Sequence, residues 1–248
     1  MRCKVLTFTA FTRQRKDKTM KNKLFRFLSL ALLLVTGACS LQSCDNDDDN
    51  DELIIDPYFG ANAIVTVKTD STSGLCYLQL NDSVRLLPTY MKQSPFGNKE
   101  VRALAMVRYT GENADKNYPC VYVDRLDSIR TKMMSPAVDN MDKVYGNDPL
   151  EIVKDWSTVC EDGYLTLRFR TYFSGAATHT LRLVRTGDNT VTLYHDANND
   201  VQGRVGDGLI AFRLNDLPDT EGKYKDITLK WTSFAGEKSV TFKYKTRK

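Results

Sequence analysis

From residue 164 onward the chain alternates apolar and polar side chains with a period of two, segment after segment. Leu165, Leu167, Phe169 and Phe173 fall on one face of residues 164–173, and Thr166, Arg168 and Arg170 on the other. The pattern recurs in Leu181 and Leu183 against Arg182, in Val191 and Leu193 against Thr190 and Thr192, and in Ile210, Phe212 and Leu214 against Arg213. It closes with Ile227, Leu229 and Trp231 against Thr228 and Lys230, then Val240, Phe242 and Tyr244 against Thr241 and Lys243. Successive side chains of a strand point to opposite faces, so this period marks strands with one buried face. Six such strands, each polar outside, bury their apolar faces against one another as an antiparallel β-sandwich. No heptad or helical stripe competes with that reading.

Upstream, five short strand-like runs lie within about 70 residues: 63–68, 76–80, 84–87 stopped by Pro88, 102–109 ended by Thr110-Gly111, and 120–123. That density of strands is what a small barrel requires. Residues 133–160 are punctuated by Pro136, Gly146 and Pro149, with room for a short strand or helical turn at 150–156. The chain is therefore expected to be all-β, with a barrel over 57–132 and a sandwich over 133–248.

Charge is unevenly placed. The net charge is +4, but residues 1–44 carry +8 and residues 45–56 carry −7, which leaves +3 for everything after them. A body this close to neutral gives a nucleic-acid partner no electrostatic support.

The first 43 residues read as a signal peptide. Lys21, Lys23 and Arg26 precede a nine-residue apolar run, 27–35, too short for a bilayer span of roughly 20 residues and suited to secretion. Met20 stands just before the basic cluster, so residues 1–19 read as an over-long start or a dispensable extension. Leu41-Gln42-Ser43-Cys44 resembles a lipobox that makes Cys44 the lipidated N-terminus; Cys39 is the rival. Residues 45–52, five Asp and two Asn followed by Glu52, are too acidic to fold. With Cys44 they form a tether over 44–56. That acidic run resembles the export signal behind the lipidated cysteine of Bacteroidetes surface lipoproteins, which implies an outer-membrane, surface-exposed location.

Further residues carry a family resemblance. Tyr77-Leu78-Gln79-Leu80-Asn81-Asp82-Ser83 leads to Leu87-Pro88, and Arg102-Ala103-Leu104-Ala105 leads to Arg108-Tyr109. Gly146-Asn147-Asp148-Pro149, Trp156 and Gly163-Tyr164-Leu165 follow, then the His-containing segments His179–Leu183 and Leu193–Asp200. In order and spacing they resemble the NigD-like lipoproteins of Bacteroidetes. The resemblance implies an N-terminal OB-like domain, a C-terminal β-sandwich, and no reaction. Asn81-Asp82-Ser83 departs from it, because a glycine-containing turn is expected there.

An OB-like module invites oligosaccharide or oligonucleotide binding. Tyr77, Tyr109 and Tyr122, with Tyr118, would offer stacking faces, and the charge and the cell-surface address favour a glycan over nucleic acid. The competing reading is that strand tyrosines are half-buried packing residues. His179 and His195, the only histidines, fall on neighbouring strands. A zinc site would need two more ligands from Asp196, Asp200 or a cysteine; the simpler role is a hydrogen bond to loop backbone, and no metal is expected. Asp196-Ala197-Asn198-Asn199-Asp200 fits the first ligand positions of a calcium loop with Asp207 at the twelfth, but Val201 replaces the required Gly, so an Asx-rich turn is favoured. Past Cys44 three cysteines remain, Cys76, Cys120 and Cys160; a Cys76–Cys120 bridge and two reduced core thiols are equally open.

No acid, base and nucleophile converge, and no cofactor motif is present. The sequence is thus expected to encode a non-enzymatic cell-envelope lipoprotein acting as a binding or accessory module. Its partners would be the membrane, through the N-terminal lipid, and an envelope protein or glycan. The alternatives are a glycan-binding lipoprotein of a nutrient-uptake system and, through the family's association with bacteriocin gene clusters, an immunity-like accessory.

Overall fold

The computed structural model describes residues 60–111 and 115–247; the leader, Cys44 and the acidic run lie outside them. Five strands, β1 (Ala63–Thr69), β2 (Cys76–Gln79), β3 (Arg85–Pro88), β4 (Val101–Tyr109) and β5 (Cys120–Ser128), close a barrel in the order β1-β2-β3-β5-β4. All neighbours are antiparallel except β3 and β5, which pair in parallel through Leu87↔Cys120. The alternation along each strand sends Val65, Val67, Leu78, Leu86, Ala103, Ala105, Val107 and Val121 inward, where none exceeds 4% exposure. Small alanines on β4 facing larger residues elsewhere suit the tight interior of a five-stranded closure. Where a glycine was expected at 81–83, the Asn81 side chain does the work instead: its Oδ1 accepts the N–H groups of Ser83 and Val84, each at 2.9 Å.

The chain passes from barrel to sandwich between Ser128 and Thr131. Strand β6 (Thr131–Met133) already pairs with the sandwich, so a boundary drawn after 132 would cut it. Residues 134–161 then hold a short helix, α1 (Met141–Tyr145), and two short strands, β7 (Glu151–Val153) and β8 (Val159–Glu161). Next come β9 (Tyr164–Phe173), β10 (Thr180–Gly187), β11 (Thr190–Asp196), β12 (Arg204–Arg213), β13 (Lys225–Ser233) and β14 (Gly236–Tyr244). One sheet runs β6-β12-β9-β7, with β8 also on β9; the other runs β10-β11-β13-β14. Most pairs are antiparallel; β11–β13 and β6–β12 are parallel.

The core between the sheets contains the apolar set read from the sequence: Leu165, Leu167, Phe169, Leu181, Leu183, Val191, Leu193, Ile210, Phe212, Ile227, Leu229 and Trp231. Full burial of each such side chain is worth about 1.5–3 kcal/mol. One polar position differs from expectation. Thr166, placed on the outer face of β9 by its phase, is completely buried because the barrel packs over it. Arg102 of β4 is 1% exposed; its Nε donates to Thr166 Oγ1 and its Nη1 to Thr66 Oγ1, both at 3.1 Å. Ile64, Leu104, Ile129 and Ala211 form the apolar part of this join. At its edge Lys68 Nζ reaches Asp162 Oδ1 at 2.8 Å, and Glu100 accepts from Tyr164 and Arg247. Barrel and sandwich belong to one compact unit.

Cys76 and Cys160 are free thiols, so the Cys76–Cys120 bridge left open by the sequence does not form; Cys120 is disulfide-bonded to neither of them. No helix among the described residues is long and apolar enough to cross a membrane.

Candidate functional site

A groove of about 610 Å³ on the barrel is lined by Tyr90, Met91, Arg108, Tyr122, Val123 and Asp124. Its residues come from three places. Tyr90 follows β3, where Pro88 ends the strand; Arg108 and Tyr122 are cross-strand partners on β4 and β5 and so share the outer face. The Tyr90 and Tyr122 rings stack at 5.4 Å between centroids and 17° between planes. The Arg108 guanidinium lies 5.3 Å from the Tyr122 centroid, a cation–π distance. Arg108 also grips Asp124 with two parallel bonds, Nε to Oδ2 at 2.5 Å and Nη2 to Oδ1 at 2.8 Å. Each partner stabilises the other's charge: the hydrogen bond lowers the Asp124 pKa and raises that of Arg108. The groove is therefore aromatic on one wall and polar, yet electrically balanced, on the other.

The three tyrosines singled out by sequence do not meet. Tyr122 lines the groove. Tyr109 pairs with the inward-facing Val121 and so stands on the opposite face of β4 from Arg108, at the barrel rim, 61% exposed. Tyr77 lies beside Lys68, which reaches the sandwich through Asp162, and carries the Arg85 guanidinium 5.2 Å from its ring; it is half-buried and belongs to the join. Tyr90, Arg108 and Asp124 escaped the sequence reading as a site. Tyr90 sits outside any period, and Arg108 and Asp124 gain meaning only once β4 and β5 pair.

The histidines do come together. His179 Nδ1 lies 2.9 Å from His195 Nε2, and the rings stack at 5.1 Å. His195 Nδ1 faces the Asp148 carbonyl at 3.2 Å, which is the loop-backbone contact expected of it. His179 Nε2 faces Asp200 Oδ2 at 3.5 Å, with side chains only 6% and 1% exposed. Asp196–Asp200 is an Asx-rich turn: Asp196 Oδ1 accepts Asn198 N–H, Asp200 Oδ1 accepts Ser174 N–H, and Asn198 and Asn199 take left-handed φ of 50° and 65°. Asp207 lies away from that turn, on β12, paired to Arg168 and Arg170. Gly146 is forced here, since at φ 80° a Cβ would stand 2.6 Å from the His195 carbonyl oxygen. Among the described residues no group of three or more His, Cys, Asp or Glu is arranged to hold a metal ion.

A closed five-stranded barrel feeding a two-sheet sandwich, with an open aromatic groove on the barrel, defines a two-module all-β architecture. Comparison with known proteins agrees. The chain belongs to the NigD-like family: residues 64–129 match its N-terminal OB domain and residues 131–244 its C-terminal β-sandwich domain. A crystal structure of a Parabacteroides distasonis protein described as toxin-related is 28% identical, with TM-score 0.59 over 74% of this chain and 92% of that one. A protein of unknown function from Bacteroides vulgatus shares the fold at 20% identity and TM-score 0.60, covering 74% and 90%. A NigD-like immunity protein from Bacteroides caccae does so at 21% identity and TM-score 0.53, covering 74% and 93%. No curated protein sequence is similar to this one.

Proposed function

We propose that this chain is a non-enzymatic binding module, held at the outer face of the outer membrane by a lipid on Cys44, and that the barrel groove seats a neutral glycan. The observation that carries the ligand class is the Tyr90–Tyr122 stack beside the Arg108–Asp124 pair. An aromatic ring 71% exposed to water offers a platform for the apolar C–H face of a sugar. The bidentate pair next to it offers donors and acceptors for hydroxyls without net charge. A groove of about 610 Å³ is within the usual size range of small-molecule sites. An anionic strand would find the one arginine of the groove already neutralised, so nucleic acid fits poorly.

The test is a thermal-shift panel of neutral oligosaccharides on the chain from residue 57. At 100 times its dissociation constant a ligand adds ~2.7 kcal/mol, or about 5–11 °C for a chain of this size. The shift should vanish in Tyr90→Ala, whose unliganded melting point stays within about 2 °C because an exposed side chain contributes little. A panel that shifts nothing refutes the glycan reading.

A protein partner, as for an immunity-like accessory, is the second reading. Tyr172 and Phe234 meet edge-to-face at 5.4 Å, with Val205 opposite Tyr172, and the three are 38–48% exposed. Cross-linking on intact cells, followed by loss of the adduct in Phe234→Ser, would favour it.

A further inference from the structure

We infer that the buried His179–His195 pair takes up one proton as the chain folds, and that this proton, held against Asp200, latches the two sheets together at one end of the sandwich. The cluster spans both sheets. His195 lies on β11 and His179 immediately precedes β10, in one sheet; Asp148 leads into β7 and Ser174 leaves β9, in the other.

Hydrogen counting carries the inference. The cluster is a chain of three contacts: Asp148 carbonyl to His195 Nδ1, His195 Nε2 to His179 Nδ1, and His179 Nε2 to Asp200 Oδ2. Both ends, a carbonyl and a carboxylate, can only accept. Each contact needs a hydrogen, but two neutral imidazoles carry two between them. If both hydrogens sit on the Nδ1 atoms, His179 Nε2 and Asp200 Oδ2 face each other lone pair to lone pair. If both sit on the Nε2 atoms, His195 Nδ1 faces the Asp148 carbonyl in the same way; if they sit on His195 Nδ1 and His179 Nε2, the two rings meet lone pair to lone pair at 2.9 Å. These two atoms, His179 Nε2 and Asp200 Oδ2, are buried and without a hydrogen-bond partner, a costly state for polar groups. A third proton completes the chain and makes the pair a single cation opposite a carboxylate.

The surroundings favour one such charge and oppose two. Asp200 is held ionised, its pKa lowered to about 2 chiefly by Ser174. The charged side chains facing the pair among the described residues are carboxylates: Asp148, whose Oδ2 accepts Ala197 N–H and whose charge acts on His195, and Asp200 across from His179. The Phe173 ring covers His179 at 4.6 Å. A second proton is refused, because burial, with the neighbouring His179, pushes His195 below the ordinary histidine range.

The sign of the linkage follows. For the shared proton the folded state binds more than the unfolded one, so its contribution is complete below the unfolded histidine value of ~6.5 and is lost as pH rises through the pair's folded value. For the refused proton the unfolded state binds more, so stability also falls as pH drops below ~6.5.

The test compares folding equilibria from pH 5 to 9 for the wild type and Asp200→Asn. The Asn amide donates its own hydrogen to His179 Nε2, which removes the need for the extra proton. The wild-type folding constant should fall, relative to Asp200→Asn, by up to about tenfold per pH unit on the alkaline side. In ring nitrogen–proton correlation spectra at neutral pH, His179 and His195 should together carry three nitrogen-bound hydrogens in the wild type. Parallel pH profiles for the two proteins would overturn the inference. So would only two nitrogen-bound hydrogens on the pair in the wild type, a readout that stands even if the variant fails to fold. A zinc-dependent stabilisation that chelation reverses and Asp200→Asn abolishes would put a metal in the proton's place, and would equally overturn it.

Discussion

Arg102 offers a quantitative test of how the two modules are joined. Its guanidinium is 1% exposed and donates to two fully buried threonines, Thr66 on the barrel side and Thr166 on the sandwich side. It lies 5.7 Å from the Tyr164 ring, and Nη2 has no partner. Burial depresses its pKa, offset in part by the charge of Asp162. Two effects therefore oppose one another. The aliphatic stem and the two hydrogen bonds fill and bridge the join, whereas the charge is desolvated without a carboxylate in direct contact, which costs several kcal/mol. Arg102→Ala forfeits the filling and leaves a cavity, a loss of about 3–5 kcal/mol by analogy with other long-to-Ala changes. Arg102→Met keeps the volume and discards the buried charge, and each threonine hydroxyl keeps its own hydrogen to donate elsewhere; the cost should stay below about 1.5 kcal/mol. At ~2–4 °C per kcal/mol, calorimetry should show Arg102→Ala melting about 6–20 °C lower and Arg102→Met within about 6 °C of wild type. Equal losses in the two variants would refute this reasoning, because they would mean that the hydrogen bonds, not the packing, hold the join.

Two further outcomes are expected. Gly208→Ala should lower stability by about 1–3 kcal/mol, since its Cβ would stand 2.3 Å from Phe169 Cζ across the β9–β12 pair; chemical denaturation should also show Phe169→Leu recovering part of the loss. Burial pushes the Cys76 thiol up to about 11 and also raises that of Cys160, so only about 0.1% of Cys76 is thiolate at pH 8. Neither cysteine should react appreciably with a disulfide reagent until denaturant is added, and rapid native labelling of either would contradict its environment.

The fold was legible because its signal is local. Leu165, Leu167 and Phe169 declare a strand face within five residues, and the same holds for Leu181 and Leu183 or Ile227, Leu229 and Trp231; the structure buries all of them. The site was less legible. Tyr122 was readable as an aromatic on a strand, but Tyr77 and Tyr109 looked equivalent to it, and the barrel's closure sends the three to different faces. The histidines were readable as neighbours. Their end partner, the Asp148 carbonyl, was not, because a backbone oxygen 47 residues away leaves no mark in composition or period.

The sequence by itself determined that this chain is all-β, in a barrel followed by a sandwich, because the side-chain period of a strand is written in consecutive residues. Tertiary structure alone decided which polar faces would meet water. Thr166 and Arg102 carry the polar phase of exposed strand positions, yet they lie at the centre of the join, because burial depends on which surface arrives from elsewhere in the chain. The same non-local closure assembles Tyr90, Arg108 and Tyr122 into one groove and sets two histidines between two acceptors, where the number of hydrogens becomes a property of the fold.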